Sequence, residues 1–231
     1  MSKKREELSL LKSLVALLLI FLCIWAAQWQ FNRGLDRQAR NDAIEENTAR
    51  PAQPLAALAS DVAAHEWQTT TITGTFDTTQ QILLRNRYSE GVYGFEQLTL
   101  FEFDARKIWV DRGWIKAGSN ATVPPQLQKT NENIVNITGR LRLDSSLPQG
   151  KFFAVSNNAQ RDLVSQLDAR KGIQTEDFYV DLISVSDTSM NPDVAVELPE
   201  LSDGPHMAYA LQWIFFAALT IYGRRLIRKT A

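Results

Sequence analysis

His206 opens the run Gly204-Pro205-His206-Met207-Ala208-Tyr209-Ala210-Leu211-Gln212-Trp213. Helical spacing puts His206, Tyr209, Ala210 and Trp213 on one face, at i, i+3, i+4 and i+7. An imidazole beside aromatic rings and a small residue is a donor set that can ligate haem iron through one ring nitrogen. The alanine leaves room for a flat macrocycle. The same residues also fit an interfacial histidine with Tyr209 and Trp213 as an anchoring belt. A second cluster is Arg112-Gly113-Trp114, at the end of an apolar alternating run. There an arginine and a tryptophan can stack on a partner or clasp a propionate. The competing reading is a salt-bridged strand end with a buried aromatic.

Other chemistry finds little support. Cys23 is the single cysteine, which excludes an internal disulfide and any CxxC metal or redox site. The two histidines, His65 and His206, are too few for an ordinary zinc site, and His65 has no GxSxG partner. Gly91-Val92-Tyr93-Gly94 lacks the Lys-Ser/Thr helix start of a phosphate loop and reads as a hairpin turn. Glu176-Asp177 reads as a solvated pair before a strand. With 25 Lys and Arg against 26 Asp and Glu, the chain is no polycationic nucleic-acid binder. The expectation is a protein that is not an enzyme and does not bind nucleic acid.

The elements that must position His206 are two apolar runs. Leu8 to Trp29 is apolar except for Ser9, Lys12, Ser13 and Gln28, and Leu14 to Ala27 carries no charge. Roughly 20 helical residues cross a hydrocarbon core of about 30 Å. The bulky Trp25, Gln28, Trp29 and Gln30 stand where signal cleavage needs small residues, so the run reads as an uncleaved anchor. The second run, 206–223, is stopped by Arg224, Arg225, Arg228 and Lys229. Cations flank the outer end of each run, and 17 basic and 24 acidic residues lie between the runs. The positive-inside rule therefore puts residues 1–7 and the tail 224–231 in the cytoplasm, with 30–205 across the membrane.

Within 30–205, the segment 33–49 reads as a juxtamembrane helix ended by Pro51 and Pro54. Beyond it come strand signals at 67–76, 80–87, 95–103, 107–114, 134–143, 151–155 and 178–186, punctuated by Gly and Pro. One helix is expected from Asn157 or Asn158 to Leu167, with Gly172 past its end. The fold class is thus a membrane protein: two transmembrane helices flank a mainly antiparallel β-domain, barrel- or sandwich-like, with one helix.

Three motifs in order carry a family resemblance over nearly the whole chain. They are Trp29-Gln30-Phe31-Asn32-Arg33 (WQxxR), Val110-Asp111-Arg112-Gly113-Trp114 (V-N-R-G-W) and His206-Met207-Ala208-Tyr209-Ala210-Leu211-Gln212-Trp213 (HxxYAxxW). Arg87, Gly91 and Gly94-Phe95 also fit. The chain resembles the Surfeit locus 1 family of cytochrome c oxidase assembly proteins. Two departures are Ala26-Ala27-Gln28, where a glycine is usual before WQ, and Asp111 for the commoner Asn.

The resemblance implies a non-catalytic assembly factor of the bacterial inner membrane that binds haem a and aids its insertion into oxidase subunit I. Haem A synthase and membrane lipid are the further partners. Carried over, the iron ligand is His206, with Tyr209 and Trp213 lining its face. Trp29, Gln30 and Arg33 lie at the outer end of the other anchor, and Arg33 or Arg112 would neutralise propionates. Two rival readings are a haem-independent scaffold that binds oxidase subunits and a two-span sensor whose output passes through another membrane protein.

Overall fold

Polar residues pass through the end of the first apolar run without breaking it. The juxtamembrane segment continues the anchor, and helix α1 runs unbroken from Ser2 to Ala49. The computed structural model describes residues 2–118, 125–147, 154–156 and 173–230. The chain divides into two compact units, one of Met1–Ala43 with Glu200–Ala231 and one of Ile44–Pro199.

The first unit is a pair of helices, α1 and the C-terminal helix (His206–Thr230). Along α1 a stripe of buried or half-buried residues runs through Ala16, Ile20, Cys23, Ala27, Gln30, Gly34, Arg37 and Asn41, at spacings of four and three. The other helix repeats the pattern with His206, Ala210, Trp213, Ala217, Thr220 and Arg224. This is the seam of two helices packed side by side in antiparallel sense. Small residues let the backbones approach closely: a Cβ on Gly34 would stand 2.9 Å from Met207 Cε. The large apolar side chains face outward instead. Leu14, Leu17, Leu18, Phe21, Ile24 and Trp25 are exposed on α1, as are Leu211, Ile214, Phe215, Leu219 and Ile221 on its partner. Among the described residues, α1 is the one helix long and apolar enough to cross a membrane by length and composition.

The second unit is built from strands. β1 (Gln53–Pro54) and a short helix α2 (Leu55–Leu58) precede β2 (Thr69–Ser89), β3 (Val92–Phe103), β4 (Arg106–Lys116), β5 (Val135–Leu143), β6 (Ala154–Ser156) and β7 (Phe178–Val185); the C-terminal helix is α3. The two strands expected at 67–76 and 80–87 are one long strand, β2. Its register slips between Asp77 and Gln81, where extra residues reverse which face each side chain meets.

The first half of β2 pairs with β5 and the second half with β3. The order β2-β3-β4-β7-β5 therefore returns to β2, and the sheet closes on itself. Most pairs are antiparallel, but β1–β2 and β4–β7 are parallel, a departure from the antiparallel expectation. Pairing β4 with β7 spans a long stretch of sequence, so no turn signal announces it. The helix expected over 157–172 lies outside the described residues, as does part of the 151–155 strand.

One hydrophobic cluster draws on all five strands of the ring and so fills its interior, with Ile72, Phe76, Phe101, Ile108, Val110, Ile137, Leu141, Val180 and Leu182 at its heart. A second cluster, Ile82, Leu84, Leu98, Leu100, Trp109, Leu147 and Tyr179, lies on the other face.

Candidate functional site

His206 begins α3, and the Pro205 carbonyl accepts the first helical hydrogen bond, from Tyr209 N (3.0 Å). Its half-buried ring meets α1 directly, with Nδ1 2.9 Å from Gln30 Oε1. One helical turn farther along α1, Gly34 lies against Met207 and the Cβ of His206. Beyond that, Arg37 Nε and Asn41 Nδ2 donate to the Ser202 carbonyl at 2.5 and 3.2 Å. Three successive turns of α1 therefore fix the register of α3 and the segment leading into it.

The structure brings only part of the expected face together. Ala210 and Trp213 share the seam with His206, and Trp213 packs edge-on against Phe216 at 5.7 Å. Tyr209 is 46% exposed and lies on the flank. A helix face three residues on is rotated enough to leave a narrow seam, which explains the difference. Trp29 and Arg33 are exposed on α1, stacked on one another with the guanidinium carbon 5.8 Å from the ring centroid. The hydrogen-bond partner of His206 on α1 is the amide oxygen of Gln30, and neither of them.

The opposite end of the helix pair is also polar. Arg224 Nη2 donates to Ser9 O at 2.8 Å and Ser13 Oγ at 2.7 Å. Ser13 and Gln30 stand 17 residues apart, a rise of about 25 Å along a helix. The stretch between the two polar pairs is thus close to the thickness of a hydrocarbon core, about 30 Å.

Arg112 takes a different place from the one expected. It is fully buried within the β-unit, on the inward face that carries Ile108 and Val110. Its guanidinium donates to Lys129 O (2.7 Å), Met190 O (3.1 Å), Gln128 O and Thr130 Oγ1, and sits 5.4 Å from the Phe76 ring centroid. Among the described residues no salt bridge holds it; backbone carbonyls and the Thr130 hydroxyl do. Fully buried, it presents no exposed edge to a propionate, and burial draws its pKa down to about 10, still ionised at neutral pH.

The neighbouring motif residues complete a structural knot. Asp111 accepts from Gly113 N at 2.8 Å, and Gly113 adopts a φ of 89° that permits a close pass of Val194. Trp114 N donates to Val194 O at 2.8 Å. The Trp114 ring covers Gly94, where any Cβ would collide with it, and Nε1 donates to Arg87 O at 3.3 Å. The pairing of Gly94 with Trp114 in the sequence thus records ring-on-backbone packing.

Across the outer face of the ring, Glu96 on β3, Asp111 on β4 and Asp181 on β7 form a row of carboxylates. Asp111 and Asp181 are register partners, and both are buried. Arg87 Nε reaches Glu96 at 2.7 Å and Arg142 Nη1 reaches Asp181 at 2.9 Å, so each outer acid has a cation. Among the described residues Asp111, between them, forms no ion pair of its own, although Arg87 lies close enough to offset part of its shift. Burial, reinforced by Glu96 and Asp181, raises its pKa well above the usual carboxylate range. The same burial raises Glu96 and Asp181. Among the described residues no cluster of acids, histidines and cysteine is arranged to hold a metal ion.

Sequence reasoning overlooked this row and gave Gln30 no specific partner. The signal for Gln30 was present: extending Ala16, Ile20, Cys23 and Ala27 by alternating steps of four and three lands on residues 30 and 34.

The SURF1 family profile matches residues 17–218, from within α1 to within α3. Uncharacterized SURF1-like proteins of Mycobacterium bovis and Mycobacterium tuberculosis are each 29% identical over 220 residues, covering 91% of this chain and 80% of their own length. A SURF1-like protein of Rickettsia bellii is 26% identical over 231 residues, 94% of this chain and 90% of that protein. With a match that takes in both helices and the whole β-unit between them, the chain belongs to the SURF1 family.

Proposed function

We propose that this protein is a non-catalytic assembly factor for cytochrome c oxidase, anchored in the bacterial inner membrane by α1 and α3, which holds haem a through His206 and passes it to subunit I. The observation that carries the reading is the His206–Gln30 hydrogen bond at the end of the helix pair. It engages one ring nitrogen and leaves the other for a metal. Family membership supports the same role, because the SURF1 family is linked to cytochrome oxidase assembly.

The residues present fit a haem. A half-buried imidazole supplies the axial donor, and Ala210, one turn on, presents no bulk on the same face. Trp213 offers a ring surface. Arg33, exposed and close to Trp29, is the cation available to a propionate; Arg112 is not. Haem a is the cargo here, contributing an iron that accepts the His206 nitrogen. The protein's part is to orient that nitrogen, shield one haem face and release the load to its partner.

Membrane placement of both helices is supported by their inverted pattern, with small and polar residues inside and Leu, Ile and Phe outside. Lipid is the solvent that makes such a surface stable. The basic residues at 3–12 and 224–229 favour a cytoplasmic position for both termini and an extracytoplasmic β-unit.

The reading is tested in a strain whose only copy carries His206→Ala, with haem a counted in purified oxidase subunit I. Haem a in subunit I is expected to fall at least severalfold while the variant accumulates normally. Undiminished haem a would refute the proposal and leave the cofactor-free scaffold.

A further inference from the structure

We infer that Gln30 is a positioning residue that fixes the tautomer of His206: its side-chain oxygen accepts the Nδ1 proton, so that Nε2 is the unprotonated nitrogen offered to a metal. This inference deepens the haem-binding role proposed above and rests on it for its purpose, though not for its geometry.

The chemistry follows from the ring. A neutral imidazole has one N–H and one lone pair, and a partner that accepts at Nδ1 assigns the proton there. The contact is 2.9 Å, between His206 Nδ1 and Gln30 Oε1. The two nitrogens lie on opposite sides of the ring, so Nε2 points away from Gln30, and no hydrogen bond occupies it among the described residues. Metal-bound histidines commonly have their second nitrogen held in this way, and losing the outer partner typically costs about 10–100-fold in metal affinity.

The pair is placed rigidly enough for such a role. Gly34 admits Met207 at close range, and Arg37 with Asn41 pins the Ser202 carbonyl four residues before His206. These contacts set the height and rotation of α3 against α1. They leave Gln30 level with the imidazole, on the seam defined by Ala27 and Gly34. In a low-dielectric surrounding, an unmatched polar group is costly, so a fixed amide beside a fixed imidazole selects one proton arrangement.

Two measurements test the inference separately from the haem reading. The first uses the metal-free full-length chain in detergent, labelled with 15N at histidine, at a pH where the imidazole is neutral. Wild type and Gln30→Glu, whose carboxylate can only accept, are expected to show His206 as the Nδ1–H form. Gln30→Leu, which fills similar space without an acceptor, is expected to shift the ring toward Nε2–H. A wild-type ring in the Nε2–H form, with the amide donating to Nδ1, would overturn the inference. So would a Gln30→Leu ring that stays Nδ1–H.

The second measurement titrates each purified variant with haem a and follows the absorption bands. Gln30→Leu is expected to bind about 10–100-fold more weakly, and Gln30→Glu to restore binding. If His206→Ala binds haem a as wild type does, the haem reading fails, while the nitrogen spectra still decide the role of Gln30. If His206→Ala abolishes binding and Gln30→Leu leaves it unchanged, the positioning role fails and the ligand assignment stands.

Discussion

Arg112→Ala is expected to destabilise the β-unit by several kcal/mol, because each buried acceptor left without a donor costs about 1–3 kcal/mol and the lost side chain leaves a cavity. The side chain is fully buried and ties the 128–130 segment and the Met190 carbonyl to β4. Alanine would leave those carbonyls without their donor inside the protein and open a cavity beside Phe76. Against a typical total stability of about 5–15 kcal/mol, that loss is large. Arg112→Lys is expected to recover little, because one ammonium cannot reach carbonyls spread around a planar fork. Urea unfolding followed by Trp fluorescence checks both variants. A midpoint close to wild type for Arg112→Ala would mean the knot is not what holds these segments.

A second large effect concerns pH. Burial, reinforced by the acids on either side, raises the pKa of Asp111 in the folded protein well above its unfolded value of about 3.9. A group shifted this way contributes stability that is complete below the unfolded value and is lost as pH rises through the folded one. Stability is therefore expected to fall with rising pH from about 4 upward, by as much as about 1.4 kcal/mol per unit for each proton involved. Asp144, pushed up to about 7 by burial and by Asp177, adds a smaller decline in the same direction.

Asp111→Asn keeps the acceptor for Gly113 N and cannot ionise. The variant is expected to equal wild type at low pH, to exceed it at pH 8, and to flatten the slope. It also alters the side-chain hydrogen bond by which Asp111 lowers the pKa of Glu96. Urea midpoints at pH 5, 6.5 and 8 check this; parallel slopes for the two proteins would contradict it. Asp111 stands where the resembling motif has Asn, so Asp111→Asn also restores that motif's neutral amide.

The sequence made the elements legible and left their long-range partners hidden. Both helices could be read from apolar runs bounded by charge, and the strands from β-branched and aromatic alternation between turn residues. The division of β2 at Asp77 looked like a turn because the inserted residues 78–80 are polar. Only pairing with β3 on one side and β5 on the other shows one strand crossing from neighbour to neighbour. The parallel β4–β7 pair and the closure of the ring depend on contacts far apart in sequence, which local periodicity does not encode.

The candidate site was read with similar unevenness. His206 stands out in the sequence because the chain has only two histidines. Tyr209 was grouped with it by the i, i+3 rule, yet a close-packed antiparallel seam is narrower than that rule allows. Arg112 was ambiguous because an arginine at a strand end points inward or outward according to a bulge. The slip in β3–β4 pairing near Glu96 and Leu98 is invisible before the strands are paired.

The proposed function places haem a on the imidazole of His206, at the end of the helix pair. The most direct test is the absorption spectrum of full-length protein purified from cells that make haem a, wild type beside His206→Ala. Haem bands at a fixed stoichiometry in wild type, lost in the variant while both proteins remain folded, are the predicted result. Equal haem content in the two proteins, or none in wild type, would contradict it.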